Sequence, residues 1–304
     1  CPMQNFQRDG IMRMEHPTGR VAYEPNSLDP AGPREHPAGF TSHASEISGE
    51  KTRVRAETFA DHYSQARLFW RSMTEPEQRH IAGAFAFELG KVETVAIRKR
   101  MLGHLAVIDS ALCGKVEIAL GMVGEADKIE PLRAPIALDP SPALSQVRKF
   151  VPTLAGRKVG VLITDGVDRA LLDRLRSAVE KEGGSVEVIA PTVGGVSSAD
   201  RKPIAVDHRL VAAPSIFYDA VVLAPSDAGA KALAGEAAAI DWLRDAFGHL
   251  KVIGHVPAAA PLLALAGVKT DAGVVAMGGP RDVAAFVTAA KGPRIWAREP
   301  SLRS

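Results

Sequence analysis

Cysteine is nearly absent from this sequence: Cys1 and Cys113 are the only two in 304 residues. So low a count excludes a disulfide scaffold and any multi-thiolate metal site. It suits a reducing compartment, expected here to be the cytoplasm. Aromatic side chains are also scarce at 5%, beside an ordinary hydrophobic fraction of 46%. Neither sign of charge prevails, since 37 Lys and Arg face 35 Asp and Glu for a net charge of +2. No bulk field of that size argues for nucleic acid or an anionic membrane as a partner. The longest apolar run, Val252 to Val268, is broken by His255, Pro257 and Pro261, so it is no membrane span. No basic segment leads into an apolar one at the start, so no signal peptide is expected. The chain opens on Cys rather than Met and reads as the C-terminal part of something longer. The nine histidines form neither a His-Glu-x-x-His motif nor an i, i+4 pair, so no metal site is expected.

What is present divides the chain by texture, and the length allows about two domains. Residues 1–55 are rich in Pro, Gly, His and Asn without a sustained period, as in an extended arm laid across another surface. Thr74 and Glu77 make a capping box, with Pro76 in the first turn of the helix it opens. Ile81, Phe85 and Leu89 paint one side of that helix, and Trp70 and Met73 are placed to cover its start. Gly90 interrupts the apolar run, which Val92, Ala96 and Ile97 reopen. A further helix is predicted from Met101 to Gly121, on Leu105, Ile108, Leu112, Val116 and Leu120, stopped by Gly121 and Gly124. Residues 56–125 are therefore expected to be helical. From 126 to 156 five prolines (131, 135, 140, 142 and 152) and no period indicate a stiffened linker.

From residue 157 onward the pattern changes. Lys158 to Ile163 is a continuous apolar run, as for a strand buried on both faces. Asp165-Gly166 turns the chain into a helix on Leu171, Leu172, Leu175 and Val179. Further strands are predicted at Val186–Ala190, Ala220–Leu223 and Val252–Gly254, with helices at Ala228–Phe247, Ala258–Ala266 and Arg281–Ala290. Lys202–Leu210 and Val268–Met277 are expected as edge hairpins. Alternation of strand and helix makes residues 157–304 an α/β domain with a doubly wound parallel sheet.

Three ordered stretches carry a family resemblance. The opening Cys1 to Gly10, with Asn5-Phe6-Gln7-Arg8-Asp9-Gly10, resembles the start of the wrapping segment of monofunctional haem catalases. Tyr23-Glu24-Pro25-Asn26-Ser27 fits the same region, and Ser64 to Leu89 resembles the helical segment after their haem barrel. Continuation into an α/β domain points to the large-subunit catalases, of which this would be the C-terminal portion. The resemblance implies peroxide disproportionation at a haem iron in the parent, a tetrameric assembly, and an arm at 1–55 wrapping the haem domain. The α/β domain itself is similar to the class I glutamine amidotransferase-like, flavodoxin-like family. On that pattern Val256, or His255 with a one-residue slip, stands at the nucleophile's elbow, and Leu171 at the glutamate position. Neither elbow residue is a thiol and Leu171 holds no proton, so amidase-type chemistry is expected to be lost.

Other constellations rest on the residues alone. In a parallel sheet the site lies beyond the carboxyl ends of the strands, where Asp165, Ser226 and His255 fall. They could make a Ser/His/Asp triad, or they could be turn and cap residues; no Gly-x-Ser-x-Gly elbow surrounds Ser226. Cys113 is expected to be a small buried group on a helix. His80 and His104 are expected to be satisfied histidines, and Arg98-Lys99-Arg100 a solvated face. No Gly-x-Gly-x-x-Gly or Walker loop follows Lys158–Ile163, so no nucleotide site is expected. The catalase tyrosine ligand belongs to an Arg-x-Phe-x-Tyr run that the resemblance places upstream. Here Arg67-Leu68-Phe69-Trp70-Arg71 puts an arginine where the tyrosine would be, and Tyr23, Tyr63 and Tyr218 lack that context. No catalytic, cofactor-binding or metal residue is therefore expected in this chain. The expected role is assembly and stability of a catalase. The alternatives are a stand-alone oligomerisation or chaperone-like module, and an α/β hydrolase-type enzyme using Ser226 and His255.

Overall fold

In the computed structural model, residues 43–302 are described. The chain divides into two units, residues 1–55 and 56–304. In the first, the described residues 43–55 are exposed and carry no helix or strand. The resemblance at Cys1–Gly10 and Tyr23–Ser27 lies outside the described residues.

The second unit begins with a helical layer: α1 (Ser64–Ser72), α2 (Glu75–Gly90), α3 (Val95–Ile108) and α4 (Ser110–Leu120). The expected capping box forms, with the Glu77 carboxylate accepting from the Thr74 amide at 2.8 Å. Trp70 and Met73 are buried as expected, while Phe85 is only partly buried against the cluster of Leu102, Leu105, Leu112 and Val116. The single helix expected over 101–121 is instead two. Asp109 adopts extended backbone and caps α4 by accepting from the amides of Ala111 and Leu112. An aspartate offers the backbone this alternative to continuing a helix. The predicted stop holds, since Gly121 closes α4 at φ +67°.

The proline-rich stretch has no helix beyond a short turn at Pro142–Leu144, yet it is stitched to the helices. Ser64 and Ser72 hydroxyls accept from the amides of Ile136 and Ser141. Glu77 accepts from the Ser145 hydroxyl and the amides of Gln146 and Val147.

A six-stranded parallel sheet follows. Its strands are β1 (Lys158–Ile163), β2 (Ser185–Ala190), β5 (His208–Arg209), β6 (Ala220–Ala224), β7 (Val252–His255) and β8 (Val274–Ala276), in the order β5-β2-β1-β6-β7-β8. Val159, Val161 and Ile163 of β1 face α5 (Arg169–Lys181) and α9 (Pro280–Lys291). Leu162, with Val221, Leu223 and Ile253 of the neighbouring strands, faces α6 (Asp227–Ala234), α7 (Ala237–Gly248) and α8 (Ala260–Leu265). Both faces are covered, which is why these strands read as unbroken apolar runs. The helix expected over 228–247 is interrupted at Gly235–Glu236, between α6 and α7. The two expected edge hairpins are also corrected. His208–Arg209 and Val274–Ala276 are single parallel strands at the two edges, and among the described residues only Pro203–Ile204 (β4) pairs antiparallel, with Val196–Ser197 (β3).

The last segment, ending in α10 (Glu299–Leu302), ties the layers together. Glu299 accepts from Arg79 at 3.2 Å and meets His80 at 2.7 Å, both on α2. The guanidinium of Arg298, 1% exposed, grips Asp271 through two bonds of 2.7 and 2.9 Å. It also donates to the carbonyls of Phe247 and Lys251.

Candidate functional site

Strand order reverses between β1 and β6, so the crevice beyond their carboxyl ends is where an open α/β sheet would take a ligand. Here two loops meet there and close on each other. Ser226 is the N-cap of α6, its hydroxyl accepting from the Gly229 amide at 3.1 Å and donating to the Asp165 carbonyl at 2.6 Å. Thr164 Oγ1 accepts from the Ser226 amide at 3.1 Å. Gly229 is pressed so tightly on Thr164 that a Cβ there would collide with its side chain.

The three residues singled out in the sequence therefore do not assemble. Asp165 turns its carboxylate away and accepts from the Ser197 amide at 2.7 Å. His255 bonds the carbonyl of Val256 at 3.2 Å, and no hydrogen bond joins it to Ser226 among the described residues. The elbow is also unstrained. Val256 has ordinary extended backbone (φ −75°, ψ 156°), and the described non-glycine residues with positive φ are Arg201 and Leu250. Leu171 is buried in α5, whose first turn is capped by Asp168. A cavity of about 440 Å3 survives beside the stitched loops, with Arg174, Asp168 and Asp227 as its charged groups.

The remaining candidates have quiet environments. The Cys113 thiol is buried and donates to the Leu102 carbonyl, and burial followed by the nearby Glu117 pushes it up to about 11. A thiol so held is unreactive at neutral pH. His104 meets the Tyr63 hydroxyl at 2.8 Å, and His80 is satisfied by Glu299. Arg98 departs from the solvated face expected of it: it donates to the carbonyls of Val92 and Gly90, closing the end of α2. No group of three His, Cys, Asp or Glu is placed to hold a metal among the described residues, and no helix among them could cross a membrane.

The haem that the resemblance implies has no fit among the described tyrosines. Tyr63 is committed to His104, and Arg67, the arginine four residues on, donates to the carbonyls of Ile108 and Val107 instead. Tyr218 is packed under the sheet with its ring 2.6 Å from where a Cβ on Gly160 would stand. Burial, then the Glu187 carboxylate, raises its phenol well above the ordinary range, so it would not ionise to bind iron. Tyr23 lies outside the described residues.

These features define a flavodoxin-like α/β domain docked on a four-helix layer. Two family models match the chain: "catalase-related immune-responsive" over residues 56–120 and "C-terminal domain found in long catalases" over 155–300. Catalase C of Rhizobium meliloti (strain 1021) is 50% identical across the whole of this chain, which spans 43% of that protein. Catalase HPII of Pseudomonas aeruginosa is 36% identical over the same shares, and Catalase-2 of Bacillus subtilis (strain 168) is 32% identical over 98% of this chain and 43% of its own length. The chain belongs to the long-catalase family, and its residues correspond to the C-terminal portion. It spans less than half the length of these relatives.

Proposed function

We propose that this chain serves the assembly and stability of a catalase that converts hydrogen peroxide to water and oxygen. The haem and its ligands belong to the preceding portion of that enzyme, a cytoplasmic tetramer in this reading, and the arm at 1–55 lies over that portion. The observation that carries the reading is the helical layer's surface. Phe87, Ile97, Ile118 and Val123 of α2–α4 and the turn after them are between 48% and 73% exposed, apolar groups that a partner body would cover. The stitched crevice between β1 and β6 supports it too, because it offers no activated nucleophile and leaves the α/β domain a supporting role.

The test is to express the preceding haem-bearing portion of the same catalase with and without residues 1–304. The expected result is co-purification of the two pieces and a higher inactivation temperature for the haem portion in the presence of this chain. A haem portion that neither retains this chain nor changes its inactivation temperature would contradict the proposal.

A further inference from the structure

The end of the sheet opposite the crevice is open. Beyond the amino ends of β1, β6 and β7 lies a cavity of about 400 Å3, walled by the turn at 146–150, the start of β1, and residues 290–296 from the last turn of α9 onward. That volume lies in the ordinary range for a small-molecule site. Its charged groups are Arg157, Lys251, Arg294 and Asp219, and its rings are Phe150 and Trp296.

The cations there are bonded to carbonyls, and the one carboxylate in the cavity wall is that of Asp219. Arg157 donates one nitrogen to the carbonyls of Ala290 and Gly292, at 2.9 and 3.1 Å. Arg294 donates to the backbone carbonyl of Asp219 at 3.2 Å, and Lys251, 2% exposed, donates to that of Ser215. None of the three forms an ion pair among the described residues. The Asp219 carboxylate instead accepts from the Lys158 amide at 3.0 Å. The indole N–H of Trp296 is buried and has no acceptor. Three cations gathered in a partly buried place with one carboxylate among them are under-compensated, and an anion joining them would be favourable. The imbalance shows in the lysine: burial, and then Arg294, hold Lys251 down at about 8 against the opposing effect of Asp219 and Asp245. Arg294 is likewise lowered, by burial first and with Arg157 contributing, while Asp219 opposes the shift.

We propose that this cavity binds a small phosphomonoester carrying a hydroxyl group, with Arg157 and Arg294 holding the phosphate. A guanidinium pair presents forked donors matched to phosphate oxygens, and three positive charges against one carboxylate suit a dianion. The cavity exceeds what inorganic phosphate needs. Phe150, Val147, Leu250 and Pro293 give an organic portion apolar walls, and Asp219 offers an acceptor to its hydroxyl. The bound anion would join the turn at 146–150 to the α/β domain, at the seam where Trp296 meets His80 of α2. The inference is independent of the catalase reading.

Titration calorimetry of the purified chain, at ionic strength fixed with chloride, tests it with two ligands separately: glycerol 3-phosphate and inorganic phosphate. Saturable binding of glycerol 3-phosphate is expected, with inorganic phosphate weaker. Arg294→Gln should weaken it at least tenfold, while Arg174→Gln, at the other end of the sheet, should leave it unchanged. Hydrogen exchange of the unsubstituted chain supplies a readout that needs no variant to fold, with protection expected at 146–150 and 290–296 on saturation. Inorganic phosphate binding as tightly as the ester would overturn the organic half of the proposal. Absence of saturable heat for both ligands, unchanged affinity in Arg294→Gln, or protection confined to the opposite end of the sheet would overturn the site.

Discussion

The Ser226 hydroxyl donates its one proton to the Asp165 carbonyl and accepts from the Gly229 amide, so it has no proton left to offer a base. Ser226→Ala should behave as loss of a helix cap, lowering stability by about 1 kcal/mol in urea unfolding. A serine-directed probe should leave the unsubstituted chain unlabelled, and covalent labelling at Ser226 would revive the hydrolase reading. Glu77 is the residue whose importance the sequence understates. Its capping box was readable from spacing alone, but its grip on Ser145, Gln146 and Val147 joins positions about seventy apart and leaves no local pattern. Burial works against its charge, yet the bonds from Thr74, Ser145 and Val147 outweigh it and hold the carboxyl down at about 2. A carboxyl lowered on folding contributes stability that is full above its ordinary value of 4.5 and is lost as pH falls through about 2. Glu77→Gln should therefore melt lower than the unsubstituted chain at pH 7 by a margin that shrinks toward pH 2. An equal margin at both pH values would show that the charge contributes nothing.

Elements whose burial is symmetric were legible, and those fixed by contacts distant in sequence were not. The β1 run and the α5 stripe stand where the pattern of apolar residues put them, because full burial on two faces or on one stripe writes itself into periodicity. The breaks at Asp109 and Gly235–Glu236 leave no mark in the pattern because apolar spacing continues across a cap or a single glycine almost in phase. The edges look like hairpins in sequence because a strand of two or three residues has too little alternation to reveal its partner or direction. The closing segment had no signal at all: Arg298 ends a single 3-10 turn before the short α10, and its partner Asp271 is a loop residue. Arg298→Ala should strip a carboxylate and two carbonyls of their donor together, costing about 3–5 kcal/mol as for a broken buried pair. Urea midpoints of this variant, of Asp271→Asn and of the double variant would decide it. Strictly additive losses would mean that the pair is not coupled.

At the scale of the molecule, the helical layer and the α/β domain share one unit, joined through Arg79, His80 and Glu299. The family was readable from ordered stretches of sequence before any geometry, and the α/β fold from its alternating elements. The arrangement of the expected crevice was legible only in part. The missing thiol and glutamate could be read at Val256 and Leu171, whereas the stitching by Thr164 and Ser226 depends on strand order. Catalysis at haem iron requires an axial ligand and a distal acid–base group, and neither Tyr63 nor Tyr218 is placed as the first. The most direct measurement is the absorption spectrum of the purified chain titrated with haemin, read together with oxygen release on adding hydrogen peroxide. No stoichiometric Soret band and no oxygen are expected. A one-to-one Soret band with peroxide-dependent oxygen release would contradict the account and place a working haem site within these residues.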